Sequence, residues 1–276
     1  DITKIQIEKL KKEVESDFAI AKLYEEKKEQ VINAITDQGK MTEDLKKKIL
    51  SAETLVAVDD LYRPYRPKKQ TRATKAKEKG LEPLANILLL QKTTKSMEEE
   101  AAAFVNAEKG VANAKEAIAG AKDIIAEMIA DMADYRKSIR NCTMKQGSLV
   151  VKAKDEKAES VYEMYYDFRE PLSKVTGYRV LAINRGEKEK FLTVKIEAPQ
   201  DDILRYLEKK MIHSDNPYTT PILKEAAEDS YKRLIAPAIE REIRSDLTEK
   251  AEDGAIHVFG KNLEQLLMQP PIVGKV

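Results

Sequence analysis

"ANAKEAIAGAKDIIAEMIADMADYRKSIR", residues 112–140, has the clearest periodicity in the chain. Ile118, Ala121, Ile125, Met128, Met132, Tyr135 and Ile139 follow one another at alternating steps of three and four. That repeat puts apolar side chains on one face of an α-helix. The spacing predicts a single helix of about seven turns. Its flanking alanines would let neighbouring helices approach closely, as in a bundle core, and the seam is short for a dimeric coiled coil.

The rest of the chain fits that frame. Its 276 residues suffice for one large domain or two modest ones. Charged residues make up 35% and aromatics only 6%, with no Trp, which reads as solvated helices over a thin aliphatic core. The expected fold class is mainly α, a multi-helix orthogonal or bundle array with at most a short β element. Residues 2–37 carry helical spacing from Ile5, Ile7 and Leu10 onward, with an interruption expected near Ser16. Gly39 should stop that helix and Thr42 should cap the next. Further helices are expected over about 53–62, from about 72 to Gly80, after Pro83, after Ser96, over 200–213, from Thr220 to about 250, and in "FGKNLEQLLMQPP". "EKAESVYEMYYDFREPL" reads as helical up to Pro171. "GSLVVKAK" is either a strand or a turn, the segment 177–199 should divide at Gly186, and "FLTVKIEA" alternates like a strand. The terminal "IVGKV" looks like the first step of another strand.

Lys and Arg number 49 against 48 Asp and Glu, so the whole surface is not built to track phosphate. The single cysteine, Cys142, excludes a disulfide framework and a multi-thiol metal site, and it implies a reducing, cytoplasmic setting. No apolar run approaches the roughly 18–20 residues of a membrane span. The N-terminal "DITKIQIEKLKKEVES" is too charged for a signal peptide, and the missing initiator Met is read as the mark of a fragment.

Catalytic signatures are sparse. His213 and His257 lie far apart and read as loop histidines. Glu242, Asp246, Glu249 and Asp253 share a helical face, but Arg241, Arg244 and Lys250 interleave them, as on a solvated surface. Cys142 has Arg136, Lys137, Arg140 and Lys145 near it in sequence, which would lower a thiol pKa, yet no base or oxyanion partner accompanies it. No glycine-rich phosphate loop is present. The expectation is a non-catalytic chain with no metal and no cofactor.

One segment stands apart: "LYRPYRPKKQTRATKAKEKGLEPLANILLL", residues 61–90. Between Tyr62 and Lys79, eight basic residues face one acid, a net of plus seven. Arg63, Arg66, Lys68, Lys69, Arg72, Lys75 and Lys77, with Tyr62 and Tyr65 as stacking surfaces, form a candidate nucleic-acid site. The competing reading is architectural: Pro64 and Pro67 fix turns whose arginines reach the carboxylates of neighbouring helices.

The stretch 61–85 strongly resembles the signature of the Tex family of bacterial transcription accessory proteins. "LYEEKKEQVINAITDQGKMTEDLKKKI" (23–49), "YYDFREPLSKVTGYRVLAINRGEKEKFLTVKI" (165–196) and "FGKNLEQLLMQPPIVGKV" (259–276) resemble other parts of the same family, in order. The resemblance implies an N-terminal helical region with a helix-turn-helix-like part. In the family it is followed by an RNase H-like domain of the YqgF type, helix-hairpin-helix repeats and an OB-fold RNA-binding domain. On this basis residues 1–60 are N-terminal helices (1–16 less securely), 61–200 a central helical region with the helix-turn-helix-like part, and 201–276 a segment leading into an absent RNase H-like domain. The partners implied are RNA or DNA, the transcription machinery and the remaining domains of the parent protein. The alternative is a helical protein–protein interaction module without nucleic-acid contact of its own.

Overall fold

The computed structural model describes residues 2–269. The "IVGKV" end lies outside them, and so do the side chains of Ile5, Ile7 and Leu10. Among the described residues the chain is mainly α with one small sheet, and it divides into two compact units, residues 1–137 with 214–226 and residues 138–213 with 227–276.

The first unit opens with α1 (Ile2–Thr36), which runs without a break at Ser16. Gly39, at φ 65°, turns the chain into α2 (Glu43–Leu50), and the Thr42 side chain caps α2 by accepting the Leu45 N–H. Thr54 caps α3 (Leu55–Tyr62) in the same way. Val31, Ile35, Ile49 and Val58 form the shared core of these three helices. There follow α4 (Arg72–Glu78), α5 (Glu82–Leu90), α6 (Met97–Ala102) and α7 (Ala114–Asp131), with α8 (Ala133–Gln146) beginning in this unit.

The long helix expected over 112–140 is therefore two helices. Met132 adopts extended backbone (φ −72°, ψ 110°) and separates α7 from α8. The buried face of α7 is Ala117, Ala121, Ile124, Ile125 and Ile129, whereas Met128 and Met132 are exposed. A strict three-four alternation describes a 3.5-residue repeat, which drifts by about 20° per heptad around a straight helix. The apolar positions of this stretch therefore do not all face the same neighbour. Gly120 lies where α7 meets α4, and a methyl there would overlap Leu81 Cδ1 and stand 3.3 Å from Ala76 Cβ.

In the second unit β1 (Ser148–Ala153) is the central strand of an antiparallel sheet ordered β2-β1-β3, with β2 at Asp167–Pro171 and β3 at Leu192–Glu197. Val150 sits opposite Arg169 on one side and Lys195 on the other. The helix expected up to Pro171 is instead a 3₁₀ turn (Glu163–Tyr165) followed by β2. Tyr165 and Phe168 pack edge to face at 5.4 Å, aromatic residues suit a pleated surface, and Pro171 is tolerated at the end of an edge strand. α9 (Gly177–Lys188) passes straight through Gly186 and ends before Lys190, whose φ is 69°. Gly186 is a packing position: a methyl there would lie 2.5 Å from Leu192 Cδ1 and 3.1 Å from Tyr162. α10 (Gln200–Met211) follows. α11 (Thr220–Asp229), which belongs to the first unit as far as Ala226, leads through a π-helical turn (Ser230–Ile235) into α12 (Ala236–Leu267). The helix expected from Thr220 is therefore α11, this turn and the first part of α12, and α12 also takes in the last expected helix. His257 lies on α12 rather than in a loop. Among the described residues, no helix is long and apolar enough to cross a membrane.

Candidate nucleic-acid interface

The basic segment leaves α3 through a 3₁₀ turn, Arg63–Tyr65, with Pro64 in its first positions. Gln38, just past the end of α1, holds this turn by donating from Nε2 to the Tyr65 carbonyl at 2.9 Å. Tyr62 and Tyr65 pack against the Val31–Ile35–Ile49–Val58 core. The Arg66 guanidinium covers the Tyr62 ring at 5.5 Å. The two tyrosines expected to stack on bases are thus half-buried against the hydrophobic core of the first unit.

Three of the cations are spent on acids. Arg63 Nε lies 3.3 Å from Asp131 Oδ1, and its side chain is one-third exposed. Burial, and then the neighbouring charge of Arg136, lowers the pKa of this guanidinium from its ordinary value. Arg66 donates to Asp59 at 3.1 Å. Lys68 pairs with Glu127 at 3.3 Å and with Asp131. Glu127 and Asp131 stand four apart on α7, one turn above the other, so a single helix face receives the Pro-fixed turn. That acid pair was legible as an i,i+4 repeat, but its partners lie about sixty residues away in sequence. Beneath it, Arg136 is fully buried and donates from Nε to Asp60 Oδ1 at 2.6 Å.

The remaining cations lie on α4 or flank it. Thr71 caps it in a reciprocal box with Thr74, and Ala73 and Ala76 form its buried flank. Lys69, Arg72 and Lys75 are exposed and make no ion pair among the described residues. Lys77 reaches Glu82 at 3.6 Å, with both side chains about half exposed. Lys79 donates to the Gly110 carbonyl at 2.8 Å. The nine candidate residues therefore separate. Arg63, Arg66 and Lys68 meet acids of α3 and α7 and Tyr62 and Tyr65 pack on the core, while Lys69, Arg72, Lys75 and the loosely paired Lys77 face solvent.

The other candidates come out as follows. The Cys142 thiol is raised, not lowered: burial is the larger cause and the Asp202 charge the second. The surrounding cations have other engagements, with Arg136 on Asp60 and Arg140 on Glu242 at 2.8 Å. On α12, Glu240 accepts from the Ile196 N–H and Arg244 pairs with Glu187. Asp246, Glu249 and Asp253 are exposed. No cluster of three or more potential metal ligands occurs among the described residues.

Residues 92–259 match the family model described as Tex central region-like. The chain belongs to the Tex family. It is 50% identical to the protein YdcI of Bacillus subtilis, over 91% of this chain and 35% of that protein. It is 34% identical to the protein tex of Bordetella pertussis, over 87% of this chain and 32% of that one. The human S1 RNA-binding domain-containing protein 1 is 32% identical, over 88% and 26% respectively. The chain thus spans about a third of the length of these Tex relatives.

Proposed function

We propose that this chain is the helical scaffold region of a cytoplasmic Tex-type transcription accessory protein, that it carries out no catalysis itself, and that it touches nucleic acid through the exposed part of its basic segment. The observation that carries this reading is the separation of the patch. Acids of α3 and α7 occupy Arg63, Arg66 and Lys68, yet Lys69 just before α4, and Arg72 and Lys75 on that short, well-capped helix, stay exposed. The names of the relatives, a transcription accessory protein and an S1 RNA-binding protein, support the same direction. The α4–Gly80–α5 pair, two helices joined by a three-residue turn with Gly80 at φ 81°, is the helix-turn-helix-like part of this reading. The transcription machinery and the other domains of a longer protein would be its further partners.

The engaged cations favour the rival reading, a protein-interaction module. A gel shift in low salt separates the two. Lys69→Ala/Arg72→Ala/Lys75→Ala should abolish a shift that the parent chain produces, with the helical circular dichroism unchanged. No shift by the parent, or an unchanged shift in the variant, removes the nucleic-acid reading. Arg63, Arg66 and Lys68 are less suitable targets, because each is already paired with an acid of α3 or α7.

A further inference from the structure

Resting on the nucleic-acid reading above, we infer that the exposed cations of α4 form a site for the phosphate backbone of double-stranded nucleic acid, one that holds a duplex without stacking on or reading its bases. Arg72, Lys75 and Lys79 follow at i, i+3 and i+7, on the flank of α4 away from Lys77, and Lys69 precedes the Thr71 cap. The axial span from Arg72 to Lys79 is roughly 10 Å at the helical rise per residue.

A second element extends the row. Asn106 and Val111 close a turn by a backbone bridge, and the Asn106 side chain accepts from the Glu108 and Lys109 N–H groups. Lys79 pins this turn through the Gly110 carbonyl. Lys109 is thereby carried to the C-terminal end of α4, where its Nζ lies 3.8 Å from the position a Cβ on Gly80 would occupy. The row is then Lys69, Arg72, Lys75, Lys79 and Lys109. Glu108 in the same turn and Glu78, three residues after Lys75 and beside it on the helix, each offset one charge.

The missing partner chemistry decides the kind of nucleic acid. Single strands are held by a basic groove together with aromatic rings on which bases stack, worth about 1–3 kcal/mol per base. No aromatic residue occurs from Arg66 to Ala103, Tyr62 and Tyr65 pack half-buried against the core, and Arg66 covers the Tyr62 ring. The exposed rings of this unit, Phe18 and Tyr218, belong to other elements. What remains is phosphate contact, which grows with charge density and counterion release and is larger for a duplex than for a single strand.

Fluorescence anisotropy with labelled duplex DNA, duplex RNA and single-stranded RNA of equal length, between about 50 and 200 mM salt, tests this. Both duplexes should bind several-fold tighter than the single strand and independently of sequence. The log–log salt slope should be near −4 for roughly four contacts. Lys69→Gln/Arg72→Gln/Lys75→Gln should flatten that slope by about 2–3 units. Equal or tighter binding of the single strand overturns the duplex site and leaves the nucleic-acid reading standing. Binding of none of the probes removes both. An unchanged slope in the variant, or displacement of duplex by an equivalent charge of polyglutamate, also overturns it, the latter in favour of an acidic protein partner.

Discussion

Arg136 is the residue on which the basic segment's attachment depends. It is fully buried, it meets Asp60 at 2.6 Å, and Arg63 sits close enough for the two positive charges to act on each other. An isolated charge in such a place is strongly disfavoured, so removing one partner should cost about 3–5 kcal/mol. Arg136→Met is expected to lose that much in urea denaturation. Asp60→Leu/Arg136→Met should lose clearly less than the sum of the two single variants, because neither charge is then stranded. A second residue-scale test concerns Cys142. Its folded-state pKa is raised, so folding favours the neutral thiol. The stability this contributes is complete below the unfolded value and is lost as pH rises through the folded one. Iodoacetamide should therefore alkylate Cys142 at about pH 8 more slowly than it does a free cysteine peptide, and Cys142→Ser should flatten the alkaline loss of stability. Alkylation at the peptide rate would contradict the burial argument.

At the scale of elements, the close approach of α4 to α7 at Gly120 sets where the cation row sits. An alanine in a helix interior gains about 1 kcal/mol over glycine. At Gly120 the added methyl meets Leu81 and Ala76, and such overpacking costs typically 1–3 kcal/mol. Gly120→Ala should therefore be net destabilising by about 1 kcal/mol in urea melts, against the helix propensity; a stabilised variant would show that Leu81 gives way freely. Gly186, packed on Leu192 and Tyr162, belongs to the same class. These two positions explain what the sequence could and could not disclose. Caps such as Thr42, Thr54 and Thr71 act over three residues, and their elements were legible to within a few positions. The Met132 break, the β2 strand and the role of Gly186 depend on neighbours far along the chain, so local spacing suggested a longer helix, a helix and a stop. The site divided in the same way. The charge of residues 62–79 was plain, but the split between engaged and exposed cations depends on Glu127 and Asp131, which only the fold brings within reach.

Across the whole molecule, positive and negative charges nearly cancel, so any long-range field comes from separation rather than excess. Support is also uneven along its two longest helices. Residues 16–23 of α1 are exposed, whereas Val31 and Ile35 further along that helix are buried. On α12, Ile239, Ile243 and Ala251 are buried, and every residue from Glu252 to Leu267 is exposed. Within that stretch Ile256, Phe259, Leu263 and Leu266 recur at helical spacing with their side chains in solvent. Most helical stability in proteins comes from packing an apolar face, and a helix without it opens readily. Limited trypsin digestion followed by mass spectrometry should therefore cut at Lys22 and Lys261 first. Arg136, Arg140 and Arg244, all held in ion pairs, should resist for much longer. The expected durable product is a core running from about Leu23 to Lys261 at most. Resistance of Lys261 that grows with protein concentration would instead show the α12 stripe buried between copies of the chain. Early cleavage at Arg136 or Arg140 would contradict the packing that anchors α7 and α8.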